Sequence, residues 1–196
     1  MNQTISDIIA DIRDLEDKLE QLIAEQQRDF LYHFEGAKIK FEASIVAQQK
    51  AMKVGLIEWL ASSKLRSILS IPFIYSMIVP IVLLHISIEI FHIICFSLYK
   101  IPKVKRADYF VADRHLLPYL NIIEKLNCAY CSYGNGVIAY TREIIGRIEL
   151  YWCPIKHAKK VIGTHKHYQK FLNFGEFEEF HAKTKSIRTQ MSKLDK

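Results

Sequence analysis

The stretch that decides the architecture is IPFIYSMIVPIVLLHISIEIFHIICFSLY, residues 71–99. It belongs to a longer apolar run, 67–99, in which Glu89 is the only Asp, Glu, Lys or Arg between Arg66 and Lys100. About 20 apolar residues suffice to span a bilayer, so this segment predicts a membrane anchor. As one straight helix its 33 residues would reach about 50 Å, against a hydrocarbon core of about 30 Å. Tilting or bending must absorb the excess. Pro72 and Pro80 each remove a backbone donor and invite a bend. Two arrangements are compatible with this: a single kinked span, or a re-entrant segment broken near Pro80 with both ends on one side.

The flanks set the expected orientation. Lys100, Lys103, Lys105, Arg106 and Arg114 come after the run, while Lys50, Lys53, Lys64 and Arg66 precede it. The Lys/Arg counts place the C-terminal side in the cytoplasm by a narrow margin. The near-tie itself suits an arrangement with both flanks on that side. GLIEWLASSKLRSILS, residues 55–70, mixes Trp59 and leucines with Lys64 and Arg66. That pattern suits a helix lying in the interface, or the end of a longer helix.

Composition agrees with this division. The net charge of +6 could serve nucleic acid, but basic residues at membrane flanks explain it better, and nucleic acid is not expected as a partner. Polar ends and an apolar middle cancel to a mean hydropathy of +0.03. The first thirty residues lack a charged start, an apolar core and a small-residue cleavage site, so export would use the internal segment. Four cysteines in such a chain do not predict a disulfide framework.

Residues 1–54 read as a helical arm. Ile5, Ile12 and Leu19 fall at one core position of a heptad, and Ile8, Leu15 and Leu22 at the other. Three heptads predict a short coiled coil, either between copies or against a second helix of the same chain. Gln26 and Asp29 break the seam. Phe30, Phe34, Ile39, Phe41 and Ile45 continue a looser helical pattern interrupted by Gly36.

Residues 101–196 carry the candidate chemistry. Leu116 to Asn127 predicts a helix, NCAYCSYGNG a tight turn holding Cys128 and Cys131, and Val137 to Tyr151 a second helix. In YWCPIKH, Pro154 suits the first position of a third helix, with Cys153 at its cap and His157 one turn on. A CxxC on a turn and a CxxxH at a helix start can converge into a tetrahedral Cys₃His set. Cys128, Cys131, Cys153 and His157 are therefore the candidate ligands. Zinc is the leading ion, with an iron–sulfur cluster or no metal as alternatives. Cys95, inside the apolar run, reads as a core or lipid-facing residue.

His85, Glu89 and His92 share one face of the membrane helix at i, i+4 and i+7. Such groups at membrane depth suggest a metal or proton-handling face, or a polar seam between the helices of an oligomer. His165 and His167 lie among Lys159, Lys160, Lys166 and Lys170 and read as solvated basic surface. Phe171, Leu172, Phe174, Phe177 and Phe180 give the tail an apolar face. Nothing in the chain matches a Walker loop, a dinucleotide fingerprint or a Ser-His-Asp arrangement.

IPKVKRADY, DRHLLPYLNIIEKLNCAYCSYGNG and YWCPIKHAKK resemble a group of uncharacterised bacterial membrane-associated proteins with a CxxC…CPxxH signature. The resemblance covers about residues 71–175 and implies a bacterial inner-membrane setting; it supplies no catalytic residue. The expectation is an all-α membrane-anchored protein: arm 1–54, interfacial helix and anchor 55–100, and a cytoplasmic Cys₃His domain 101–196. Its expected role is a metal-binding interaction scaffold whose partners are the bilayer and a second copy or another membrane protein. An iron–sulfur redox component serving a membrane partner, or an enzyme using Cys128 or Cys131, are the alternatives.

Overall fold

In the computed structural model the chain is mostly helical. The structure describes residues 3–29, 32–35, 38–41, 43–55, 58–59, 61 and 64–194. Much of 55–63 therefore lies outside the described residues, as do Phe30 and Gly36.

The arm forms α1, Gln3–Asp29, a single helix of 27 residues. Beyond α1 the expected helical continuation gives way to strands. Tyr32–Glu35 (β1) and Lys38–Phe41 (β2) pair as an antiparallel hairpin, with Tyr32 opposite Phe41 and Glu35 opposite Lys38. The cue is period-two alternation, Tyr32 and Phe34 then Ile39 and Phe41, around a two-residue connection. A short helix, α2, Ala43–Ala51, completes this region.

The apolar run forms α3, Leu65–Ser76, and α4, Ile78–Tyr99. They part at Met77. Pro80 explains the break: it lacks an N–H for the carbonyl of Ser76, four residues before it, and its ring crowds that carbonyl. Pro72 is accommodated within α3. α4 ends on Lys100, which takes a left-handed conformation with φ 52° and lets the Ile101 N–H donate to the Phe96 carbonyl at 3.0 Å.

Residues 101–121 then run back along α4. Val104 lies level with His92, and Phe110 level with His85, whose ring it stacks against at 5.2 Å. This crossover contains two 3-10 turns, Arg106–Asp108 and Arg114–Leu116. It delivers the chain to α5, Ile122–Trp152, a 31-residue helix. A capping box starts α5: the Glu124 N–H donates to Asn121 Oδ1 at 3.0 Å, and the Asn121 N–H to Glu124 Oε2 at 2.8 Å. The expected helix–turn–helix over 116–151 is thus one unbroken helix that begins six residues later than expected.

α5 packs parallel to α3 and α4. Tyr75 meets Asn127 and Tyr130, His85 meets Tyr133, His92 meets Tyr140, and Tyr99 meets Tyr151 and Trp152. Gly134 allows Ile81 to approach. The core gathers at the far end, where Phe96, Ile101, Val104, Tyr140, Ile144 and Leu150 meet Phe171. The last helix, α6, Phe180–Leu194, closes it with Ile187 and Met191. Arg188 ties α6 down, donating to the Tyr151 carbonyl at 3.0 Å and stacking on Tyr151 and Trp152. After α5 the expected third helix is absent: 153–157 is not helical, and Ile155 forms an isolated parallel bridge with Leu172.

Candidate functional site

α4 is amphipathic in an inverted sense. Its inward face, against α5 and the crossover, carries the buried residues His85, Ile88, His92 and Phe96. Its outward face is Val79, Leu83, Ile86, Ile90, Ile93, Ile94 and Leu98, with Leu83 59% and Leu98 71% exposed. In α3, Leu69 and Phe73 extend this surface at 62% and 76% exposed. A soluble domain would bury such a row. The helical run Leu65–Tyr99, α3 and α4 together, is 35 residues long and apolar enough to cross a membrane, with an 18-residue stretch of mean hydropathy 2.2.

The inward polar residues form one connected network. The Val104 N–H donates to His92 Nε2 at 3.0 Å, which places the proton of a neutral ring on Nδ1. His92 Nδ1 then donates to the Tyr140 hydroxyl at 3.0 Å, and that hydroxyl donates to Glu89 Oε2 at 3.4 Å. Burial, followed by the charge and hydrogen bond of Glu89, pushes the Tyr140 phenol up to about 12. His85 Nδ1 bonds the Tyr133 hydroxyl at 2.9 Å; its Nε2 is buried without a hydrogen-bond partner, 3.6 Å from Glu89 Oε1. Sequence spacing put these three residues on one face, and here that face lies between α4 and α5 of one chain. Both ring nitrogens of His92 are engaged, so it has no lone pair free for a metal.

A second cluster was not legible as a site. Glu143, 6% exposed, accepts from Arg147 Nε at 2.8 Å, His167 Nε2 at 3.1 Å and Lys166 Nζ at 3.2 Å. Burial alone would raise its pKa, but the Arg147 bond, then His167 and Lys166, prevail and hold the carboxyl at about 2. Burial lowers the His167 pKa and outweighs the Glu143 carboxylate, which raises it. Arg147 also donates to the carbonyls of Pro102 at 2.6 Å and Lys103 at 3.4 Å. His165 Nε2 bonds Glu149 Oε2 at 2.8 Å, and its ring lies directly over Gly146. His165 and His167 are therefore half-buried clamps on α5 and not solvated surface, because four polar side chains of α5 face their loop. Arg142 adds hydrogen bonds to the Gly163 and Thr164 carbonyls. The i, i+4 pair Glu143–Arg147 was the sequence signal available.

The expected ligand set does not converge. Cys128 and Cys131 lie three residues apart near the start of α5, half-buried and exposed respectively. Cys131 lines an apolar cavity of ≈ 430 Å³ between α3 and α5. Cys153 is exposed and caps the other end of the same helix. At about 1.5 Å per residue, some 33 Å of helix separates Cys131 from Cys153. Ligands of one zinc must each come within about 2.3 Å of it. His157 is held near Cys153, its N–H donating to the Tyr168 hydroxyl at 2.7 Å and its ring stacked over Tyr168. No group of three or more His, Cys, Asp or Glu suited to a metal occurs among the described residues. The residues present therefore do not fit the expected zinc or iron–sulfur centre, because the turn that was to fold Cys128 and Cys131 back is helix. All four cysteines are free thiols.

No family model matches the chain, and no curated protein or solved structure is similar to it.

Proposed function

We propose that this is a membrane-anchored interaction scaffold. Its anchor, α3–α4, lies along the bilayer surface with its outward face in lipid, and both ends stay on the cytoplasmic side. The observation that carries the reading is the asymmetry of α4: its large apolar residues look outward along the helix, while His85, Glu89 and His92 turn inward at its middle. If α4 crossed the bilayer, the crossover and α5 packed beside it would go with it. That would carry non-helical backbone and Arg106, Arg114 and Arg147 to hydrocarbon depth, which is costly. Immersing only the outward face leaves those groups in water. Basic residues on both flanks support one-sided placement, with Lys53, Lys64 and Arg66 before the anchor and Lys100, Lys103 and Lys105 after it. The resemblance of residues 71–175 suggests the bacterial inner membrane. α1 and the basic C-terminal region are then presented to cytoplasmic partners.

The test is extraction followed by topology. The protein should remain with membranes through a high-salt wash and require detergent for release; release by salt alone refutes a lipid-embedded anchor. Reporter fusions at the two termini should both report cytoplasm. Opposite reports would establish a crossing and overturn the surface placement.

A further inference from the structure

α1 displays a seam that the other described residues leave open. Ile8, Ile12, Leu15, Leu19 and Leu22 are between 46% and 63% exposed. The neighbouring elements are short: a hairpin of four-residue strands and the nine-residue α2. The intramolecular alternative needed a second long helix against α1, and none lies against it among the described residues. An exposed apolar seam along a helix marks a surface that takes a partner, and heptad spacing suits a second helix.

The seam is self-complementary, and its charges choose a direction. Take Ile5, Ile12 and Leu19 as the a positions and Ile8, Leu15 and Leu22 as the d positions. Two copies can pair all six residues of each seam in either direction. In the parallel arrangement the flanking g–e′ pairs bring Asp11 against Glu16 of the second copy, twice per dimer. In the antiparallel arrangement Ile5 faces Leu22, Ile8 faces Leu19, and Ile12 faces Leu15. The flanking g–g′ pairs then bring Asp11 against Lys18 of the second copy, again twice. One direction carries two repulsions and the other two attractions, with the same six apolar residues of each copy in the seam.

We propose that two copies of this protein associate through α1 as an antiparallel coiled coil centred on the Ile12–Leu15 layers. This names the partner of the arm that the proposed function presents, and it does not depend on how deeply the anchor sits. Lying flat, such a coil sends the two anchors out from opposite ends, about 40 Å apart for a 27-residue helix. Both anchors could then rest on one membrane surface.

Charge exchange tests the direction. Full-length protein in detergent micelles is labelled in two populations, and energy transfer between copies is followed on dilution. Asp11→Lys and Lys18→Asp should each weaken association by roughly tenfold, since both flanking pairs turn repulsive. The double exchange should restore it to within about threefold of the parent. A parallel coil predicts the opposite sign for Asp11→Lys, which would place lysine against Glu16; tighter association of that variant overturns the proposal. Leu15→Glu should abolish energy transfer while circular dichroism still reports a helical chain. Energy transfer unaffected by Leu15→Glu would put the contact elsewhere and overturn the proposal. Absence of energy transfer in the parent would show that the seam takes a different protein and would overturn it too. These outcomes differ from failure of the membrane reading, which appears as release by salt or as opposite topology.

Discussion

Two glycines, two residues apart on α5, should respond oppositely to the same substitution. Alanine is about 1 kcal/mol better than glycine in a helix interior, so each replacement begins with that gain. At Gly134 a new Cβ would lie 3.5 Å from Ile81 Cδ1, an ordinary contact with α4. Gly134→Ala should keep the gain. At Gly136 the new Cβ would lie 2.9 Å from Phe110 Cδ1 and 3.1 Å from the Tyr109 carbonyl oxygen. Neither neighbour can yield readily, because Phe110 is held among His85, Tyr133 and Tyr140, and the carbonyl belongs to the crossover backbone. Forcing a methyl into such a space costs about 1–3 kcal/mol, which offsets the helical gain and leaves a net loss near 1 kcal/mol. For a chain of this size 1 kcal/mol moves Tm by about 2–4 °C. In one detergent, Gly134→Ala should melt about 2–4 °C above the parent and Gly136→Ala about as far below it. Trypsin should cleave the crossover, at Lys103, Lys105 or Arg106, faster in Gly136→Ala only. A rise in Tm for both variants, with unchanged cleavage, would mean that the crossover does not pack on α5 at Gly136.

Acid should act through Glu143. Its folded pKa of about 2 lies below the ordinary 4.5, so its stabilisation is full above pH 4.5 and is lost as pH falls toward 2. The gap is about 3 kcal/mol. His167 adds in the same direction, since its lowered pKa makes falling pH favour the unfolded chain from 6.5 downward. Glu143→Gln should flatten the loss of Tm between about pH 4.5 and 2; a profile as steep as the parent's would reject this role. The paired change Cys153→Ala with His157→Ala should leave metal content and Tm unaltered, to within about 1 °C. Loss of bound zinc, measured by elemental analysis, together with unfolding around Cys153, would instead restore the four-ligand site.

How much of this was legible in the sequence depended on whether the signal was compositional or positional. The long apolar helical run was legible because 33 residues with one charge cannot be mistaken for loop. The heptads of α1 were legible for the same reason of regular repetition. The middle of α5 was not, because Gly134, Asn135 and Gly136 punctuate a chain when nothing packs on them. Here the two glycines are the small residues that let Ile81 and Phe110 come close. Reading them as a turn split the helix, and the split made convergence of Cys128 and Cys131 with Cys153 and His157 look feasible. Yet Asn121 and Glu124 already carried a capping signature, and Cys128 and Cys131 at i, i+3 suit a helix as well as a turn.

The face of His85, Glu89 and His92 shows the deeper limit. Helical spacing groups the three, but periodicity cannot say whether a polar face looks toward solvent, a second copy or the same chain. The decision comes from residues far along the sequence: Tyr133 and Tyr140 on α5, and the Val104 N–H on the crossover. Once those partners occupy the polar side, Leu83, Ile90, Ile94 and Leu98 must look outward. The charged crossover and α5 share the polar side of α4, so the proposed lipid contact falls to the opposite one. The membrane placement therefore rests on what packs against the helix, and its hydropathy alone would have favoured a simple span.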